Sequence, residues 1–249
     1  MGASARDIKC ERRRRTGIWG ISAGTSAGTS AGTFSNIFSG ISGGAKRGNA
    51  AKERRAGGTF AETVSGFPLN SLTLPQFTAE IARCRALFLL KTADYGTAWR
   101  VLRPASVTDQ LYIKARRIRS IEEKGTQRVP EGIEGELVAL VNYAVIGLMQ
   151  LELTDADPAE LPPAAVAAAY DRHIAENLRL LDAKNHDYDE AWRQMRPSSI
   201  TDLILMKLHR TRQIEDQGGQ TRVSEGVDAN YRDILNYAVF ALIRLREPV

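Results

Sequence analysis

The sequence predicts an all-α protein made of a duplicated three-helix repeat, and three observations carry that expectation. Residues 91–123 recur 93 positions later at 184–216 with 16 identities in 33 aligned positions, too long a match for compositional accident. Apolar residues return at helical spacing: Val227, Tyr231, Ile234, Leu235, Ala238, Leu242 and Leu245 share one arc at about 100° per residue. No stretch of useful length alternates with period two, as a half-buried strand would. Charged and polar positions survive between the copies better than apolar ones, so the repeat is expected to preserve more than packing.

Residues 1–66 read as a disordered, low-complexity basic tail. They hold 11 Lys+Arg against 4 Asp+Glu, a balance of +7, which leaves 23 against 25, or −2, for the remainder. The Arg12 to Arg15 run, the AGTSAGTSAGT reiteration and the scarcity of large apolar side chains leave too little burial to offset ordering entropy. An Arg- and Ser-rich, acid-poor composition is also that of organellar transit peptides. Arg6 stands where a myristoylation signal would need Ser or Thr. The tail is expected to be a leader without function in the folded protein, with a basic tether to nucleic acid or membrane as the alternative. Since the excess positive charge belongs to the tail, no basic face for duplex nucleic acid is expected on the repeats.

The first repeat spans 70–153 and the second, expected to bear the site, 160–249, joined by LTDADPAELPP. Proline announces the first helix of each: Pro75 in one copy, Pro162 and Pro163 in the other. The connectors DYGTAWRVLRP and DYDEAWRQMRP follow; Pro104 and Pro197 are expected to stop any helix, with Ser106 and Ser199 opening the next. The second helices are expected over 107–123 and 200–216, ending at glycine-containing loops. The third are expected to begin near Glu131 and Glu225 and run to 151 and 246. Three such helices make a thin core, so the halves are expected to pack about a pseudo-two-fold axis as one bundle. Cys10 and Cys84 offer neither a disulfide framework nor metal spacing, which suits a reducing cytoplasm. No apolar run approaches the roughly 18–20 residues of a membrane span.

The polar residues of the second copy form the candidate site. Glu225, Asp233 and Asn236 lie within about 80° on a helical wheel, and Asp228 lies one turn from Glu225. Such carboxylates are hard oxygen ligands suited to Mg²⁺ or Mn²⁺; the alternative is a solvated helix face with Glu225 as a first-turn charge. In the first copy Glu131 and Asn142 persist, Glu134 replaces Asp228, and Ala139 replaces Asp233. Lys207 and Arg210 are three apart, matched by Lys114 and Arg117. With its stem on the apolar stripe, Lys207 suits a buried ion pair with Asp202 or Glu215, or a phosphate clamp. In the connector, Asp187, Tyr188, Trp192, Arg193 and Arg196 suit either a base stack with phosphate contacts or a structural corner. His173, His186 and His209 have no counterparts in the first copy and no partner at ligand spacing.

The string KNHDYDEAWRQMRPSSITDLILMKLHRTRQIED, followed by VSEGVDANYRDILNYAVFALI, resembles the nucleotide modification associated domain family. The pattern falls on Lys184, Asp187, Tyr188, Lys207, Arg210, Asp228, Asp233, Asn236 and Tyr237, and the resemblance covers 70–249 in two copies. The pattern is in turn similar to the all-α NTP pyrophosphohydrolases, the MazG-like and dimeric dUTPase group, whose acidic residues hold Mg²⁺ against a nucleoside triphosphate. That group's paired Glu-x-x-Glu is not evident; Glu176 and Asp182 stand nearest. Met206 and Ile113 occupy a position where related sequences carry Asp, and Asp189 replaces the glycine kept as Gly96.

The resemblance implies a metal-dependent nucleotide-processing protein, acting on a nucleoside triphosphate or modified nucleotide. Glu225 and Asp233 would be catalytic, and Glu225, Asp228 and Asp233 would hold Mg²⁺ or Mn²⁺, with Glu215 or Asp216 completing the shell. Lys184, Asp187, Tyr188, Trp192, Arg193, Arg196, Lys207, Arg210 and Asn236 would bind substrate, and a metal-activated water would attack phosphorus. The alternative is a non-catalytic nucleotide-binding or scaffold module whose repeated polar residues are structural ion pairs. Whether two chains associate to complete a site is open.

Overall fold

The computed structural model describes residues 72–188 and 190–247, the side chains of 185–188 excepted. The tail, with its disorder and leader readings, lies outside the described residues. Those described form six long helices and no strand. In the first repeat α1 is Thr73–Tyr95, α2 Pro104–Lys124 and α3 Ile133–Glu152; in the second α4 is Pro163–Tyr188, α5 Pro197–Asp216 and α6 Val227–Arg246. Each connector holds a 3₁₀ turn, Ala98–Val101 or Ala191–Gln194.

Three local expectations are corrected. Pro104 and Pro197 begin the second helices instead of separating them from an opening serine. Their fixed φ suits the first helical position, where an N–H would have no partner to lose, and they hold Arg103 and Arg196 extended (ψ 153° and 142°). The third helices start two residues later than expected, after Gly132 and Gly226. Glu225 is therefore outside the helix, and Asp228 is the acid of the first turn. Leu245 is 53% exposed: it lies five full turns from Val227, itself only half-buried, so both mark the edge of the arc and not its core.

The central layer is α2, α3, α5 and α6, with α3 against α6 as the most extensive contact and α1 and α4 flanking. By length and hydropathy α3 is long and apolar enough to cross a membrane, against the sequence expectation; here 67% of its apolar window is buried among the other helices. Its crossing with α6 is close. A Cβ at Gly147 would lie 2.7 Å from the Tyr231 ring, so glycine lets that ring rest on the α3 backbone. The Tyr231 hydroxyl reaches the Thr108 hydroxyl at 2.7 Å.

The seam between α2 and α5 is reciprocal. Thr108 donates to Glu215 at 2.7 Å, and Thr201 donates to Glu122 at 2.9 Å. Arg119 pairs with Asp202, and Arg212 with Asp109. Each contact has its mirror image in the other copy, the mark of isologous two-fold packing. Four of the identities between the repeats (Thr108/Thr201, Asp109/Asp202, Arg119/Arg212 and Glu122/Glu215) are explained by this seam, hence the survival of polar residues there. Burial raises the carboxyl pKa of both Glu122 and Glu215 above the ordinary range.

Candidate functional site

The clearest convergence of the expected site residues is a cavity of about 310 Å³ beside α4 and the first half of α6, lined by Asn177, Leu180, Lys184, Glu225, Asp228, Arg232, Asp233 and Asn236. Asp233 and Asn236 share a face of α6 because they are three apart, and Asn177, Leu180 and Lys184 follow helical spacing on α4. Glu225 and Asp228 flank the start of α6, on either side of its N-cap Gly226.

Asp233 is almost fully buried and held by two ammonium groups. Lys207 Nζ from α5 lies 2.5 Å from Oδ2, and Lys184 Nζ from α4 lies 3.5 Å from Oδ1. Lys207 is 1% exposed, so its stem runs through the core and its charge is matched inside it. The partner is thus Asp233, neither Asp202, which pairs with Arg119, nor Glu215, which accepts from Thr108. Asn177 Nδ2 donates to Asn236 Oδ1 at 2.6 Å. Arg232 donates to Glu176 at 2.8 Å and to the His173 carbonyl at 3.3 Å. Desolvation lowers the His173 pKa below 6.5, with Glu152 partly opposing it. The Tyr237 hydroxyl is pushed up by its burial and secondarily by Asp233.

The first copy solves the same problem differently. Lys114, the counterpart of Lys207, lies 3.3 Å from Glu136, which also accepts from Arg117. In the second copy Asn230 stands where Glu136 would be. The acid has moved one helical turn, to position 233, where the first copy has Ala139.

Several expected site residues lie elsewhere. Trp192 is 2% exposed; its indole N–H donates to Thr73, and its ring stacks on Phe240 with centroids 4.3 Å apart. No face is left for a base. Arg193 is committed to Glu190, Glu247 and Gln76, and lies over the Trp192 ring at 4.5 Å, so it closes a structural corner. Arg196 is exposed at the start of α5 and Asp216 at its end, and neither lines the cavity. Glu215 belongs to the seam. Arg210 lines a separate hollow with Gln217, Gln220 and Arg222. The side chains of Asp187, Tyr188 and His186 lie outside those described. Sequence reasoning missed Asn177 and Arg232; the helical spacing of Asn177 from Lys184 was the available signal.

Among the described residues the donor set does not fit a resident divalent ion. Among the described residues no three Asp, Glu, His or Cys side chains converge as metal ligands. Glu215 and Asp216 are outside the cavity, and Asp233 already faces two cations, which a metal would have to displace.

The profile of the family described as nucleotide modification associated domain 1 matches residues 91–151 and 184–245. Each match runs from the last turn of a repeat's first helix through its third, so it contains both Lys184 and Asp233. No curated protein and no solved structure matches the chain. Residues 91–151 and 184–245 are thus two tandem copies of the nucleotide modification associated domain 1.

Proposed function

We propose that the second repeat is a nucleotide-binding module, taking a nucleoside polyphosphate in the cavity beside α4 and α6. The observation that carries this reading is the meeting of Lys184, Arg232, Asp233, Asn236, Glu225 and Asp228 around one hollow of nucleotide-compatible size. Lys184 and Arg232 offer cations to phosphate oxygens. The buried Lys207–Asp233 pair holds Lys184 in place, and the Asn177–Asn236 amides offer hydrogen-bonding edges. Glu225 and Asp228 suit a Mg²⁺ that arrives with the phosphates, since Mg²⁺ commonly takes only one or two carboxylates beside substrate oxygens.

The test is calorimetry of the whole chain against canonical and modified deoxynucleoside triphosphates, with and without Mg²⁺. Lys184→Gln is expected to weaken binding by roughly tenfold or more, the worth of one charge-assisted hydrogen bond, with little change in Tm. Asp233→Ala is the wrong probe, because it leaves a buried Lys207 charge unmatched. Failure of every nucleotide to bind, with or without Mg²⁺, retires the proposal. Hydrolysis is a second reading, favoured by Glu225 and Asp228 beside the same hollow; pyrophosphate release that Glu225→Gln abolishes is its expected sign.

A further inference from the structure

The first repeat keeps a cavity at the position equivalent to the one just described, but with a different character. It also measures about 310 Å³. Six positions lining it have counterparts lining the second: Leu87, Lys91, Gly135, Val138, Ala139 and Asn142 stand for Leu180, Lys184, Ala229, Arg232, Asp233 and Asn236. The acids and the arginine are gone. Among the described residues no Asp or Glu lines this cavity, and four aromatic residues do: Phe88, Tyr95, Trp99 and Tyr143.

Two differences make the change. Ile146 stands where the second repeat has Phe240, whose ring there stacks flat on Trp192. With the smaller side chain, Trp99 borders the cavity instead of being buried against a ring. Ala139 also removes the carboxylate that in the second repeat faces Lys184. Lys91 therefore keeps the cation and lacks the counter-ion: among the described residues it has no ion-pair partner, while Lys184 has Asp233. An aromatic chamber with one unmatched ammonium and no acid is complementary to a flat ring carrying negative charge at its edge.

We infer that the first repeat is a second ligand site, selective for a planar aromatic anion, with the ring among Phe88, Tyr95, Trp99 and Tyr143 and the negative group at Lys91. The ligand's anion takes the place that the Asp233 carboxylate holds in the other copy. A polyphosphate is a poor occupant, because Lys91 is the one cation among the described residues of the lining. The inference does not depend on the second cavity binding anything.

Two sources share this chemistry, a nucleoside monophosphate and a free aromatic acid, and the test separates them. Calorimetry on the full chain uses AMP, UMP and indole-3-acetate as probes, with adenosine as the uncharged control. At least one of the anions is expected to bind, and adenosine to bind about tenfold or more weakly, the difference made by one charge-assisted contact. Lys91→Gln is expected to cost about the same factor at unchanged Tm, since Lys91 is exposed. Ala139→Asp is the sharper variant: it supplies Lys91 with an internal carboxylate and is expected to abolish anion binding while the protein stays folded. Lys184→Gln, which alters only the other cavity, is expected to leave this binding unchanged. The inference is overturned if no probe binds at millimolar concentration, if adenosine binds as well as AMP, or if Ala139→Asp has no effect.

Discussion

At the scale of the residue, Lys207 and Asp233 decide what the site is. A buried ion pair is weak evidence of stabilisation, because desolvating two charges consumes most of the Coulomb gain, but breaking one costs about 3–5 kcal/mol. Lys207→Ala is therefore expected to destabilise the fold by that order, measured by urea denaturation. The pair Lys207→Met with Asp233→Leu is expected to recover most of the loss while binding at the cavity stays impaired. If the double substitution also restores binding, the pair serves packing and nothing else. Both residues were legible in the sequence as functional candidates, from a cation on an apolar stripe and an acid beside one. Their partnership was not, because it joins α5 to α6 at a register that only the packed helices define. Trp192 and Arg193 show the opposite case: their residue types suit nucleotide contact, and their burial commits them to a corner around Thr73 and Phe240.

At the scale of the element, the crossing of α3 and α6 is the tightest constraint. Gly147→Ala places a methyl group 2.7 Å from the Tyr231 ring, and overpacking of this kind costs typically about 1–3 kcal/mol. The expected result is a Tm several degrees lower. Combining it with Tyr231→Leu, the residue type at the matching first-copy position Leu137, is expected to relieve the clash. An unchanged Tm in the single variant would mean the helices slide apart freely. All six helices were readable from periodicity and proline placement. The first residues of α2 and α5 were not, because a proline both ends one segment and begins the next. The alternative that won, Pro104 and Pro197 as first helical residues, needs the preceding arginine to be extended, a backbone fact that side-chain pattern does not report.

At the scale of the whole molecule, pH dependence reports the burial of a few groups at once. The His173 pKa lies below 6.5 in the folded chain, so the unfolded chain binds more protons in this range. Its contribution is intact above pH 6.5 and is lost as pH falls toward the folded pKa. The raised pKa of Glu122 and Glu215 has the opposite sign: the folded chain takes up those protons first, which returns some stability in more acidic solution. The expected profile, read by calorimetric Tm from pH 8 downward, is flat and then declines below about pH 6.5. His173→Gln is expected to flatten that decline; if the slope survives, other groups carry it. Duplication and the all-α class were visible at this scale from the repeat alone. The outer helices were harder to place: α1 packs on α6 as well as α3, a cross-connection no single repeat encodes.

The reciprocal seam has an evolutionary consequence. When two identical subunits associate, any substitution appears on both sides of the axis, and a gain for one pocket is imposed on its twin. Here the subunits are tandem segments of a single gene product, so each inherits its own changes while the shared joint holds them in register. Ala139 opposite Asp233 and Ile146 opposite Phe240 are what such independence permits: a pair of chambers with one ancestry, free to specialise in separate directions.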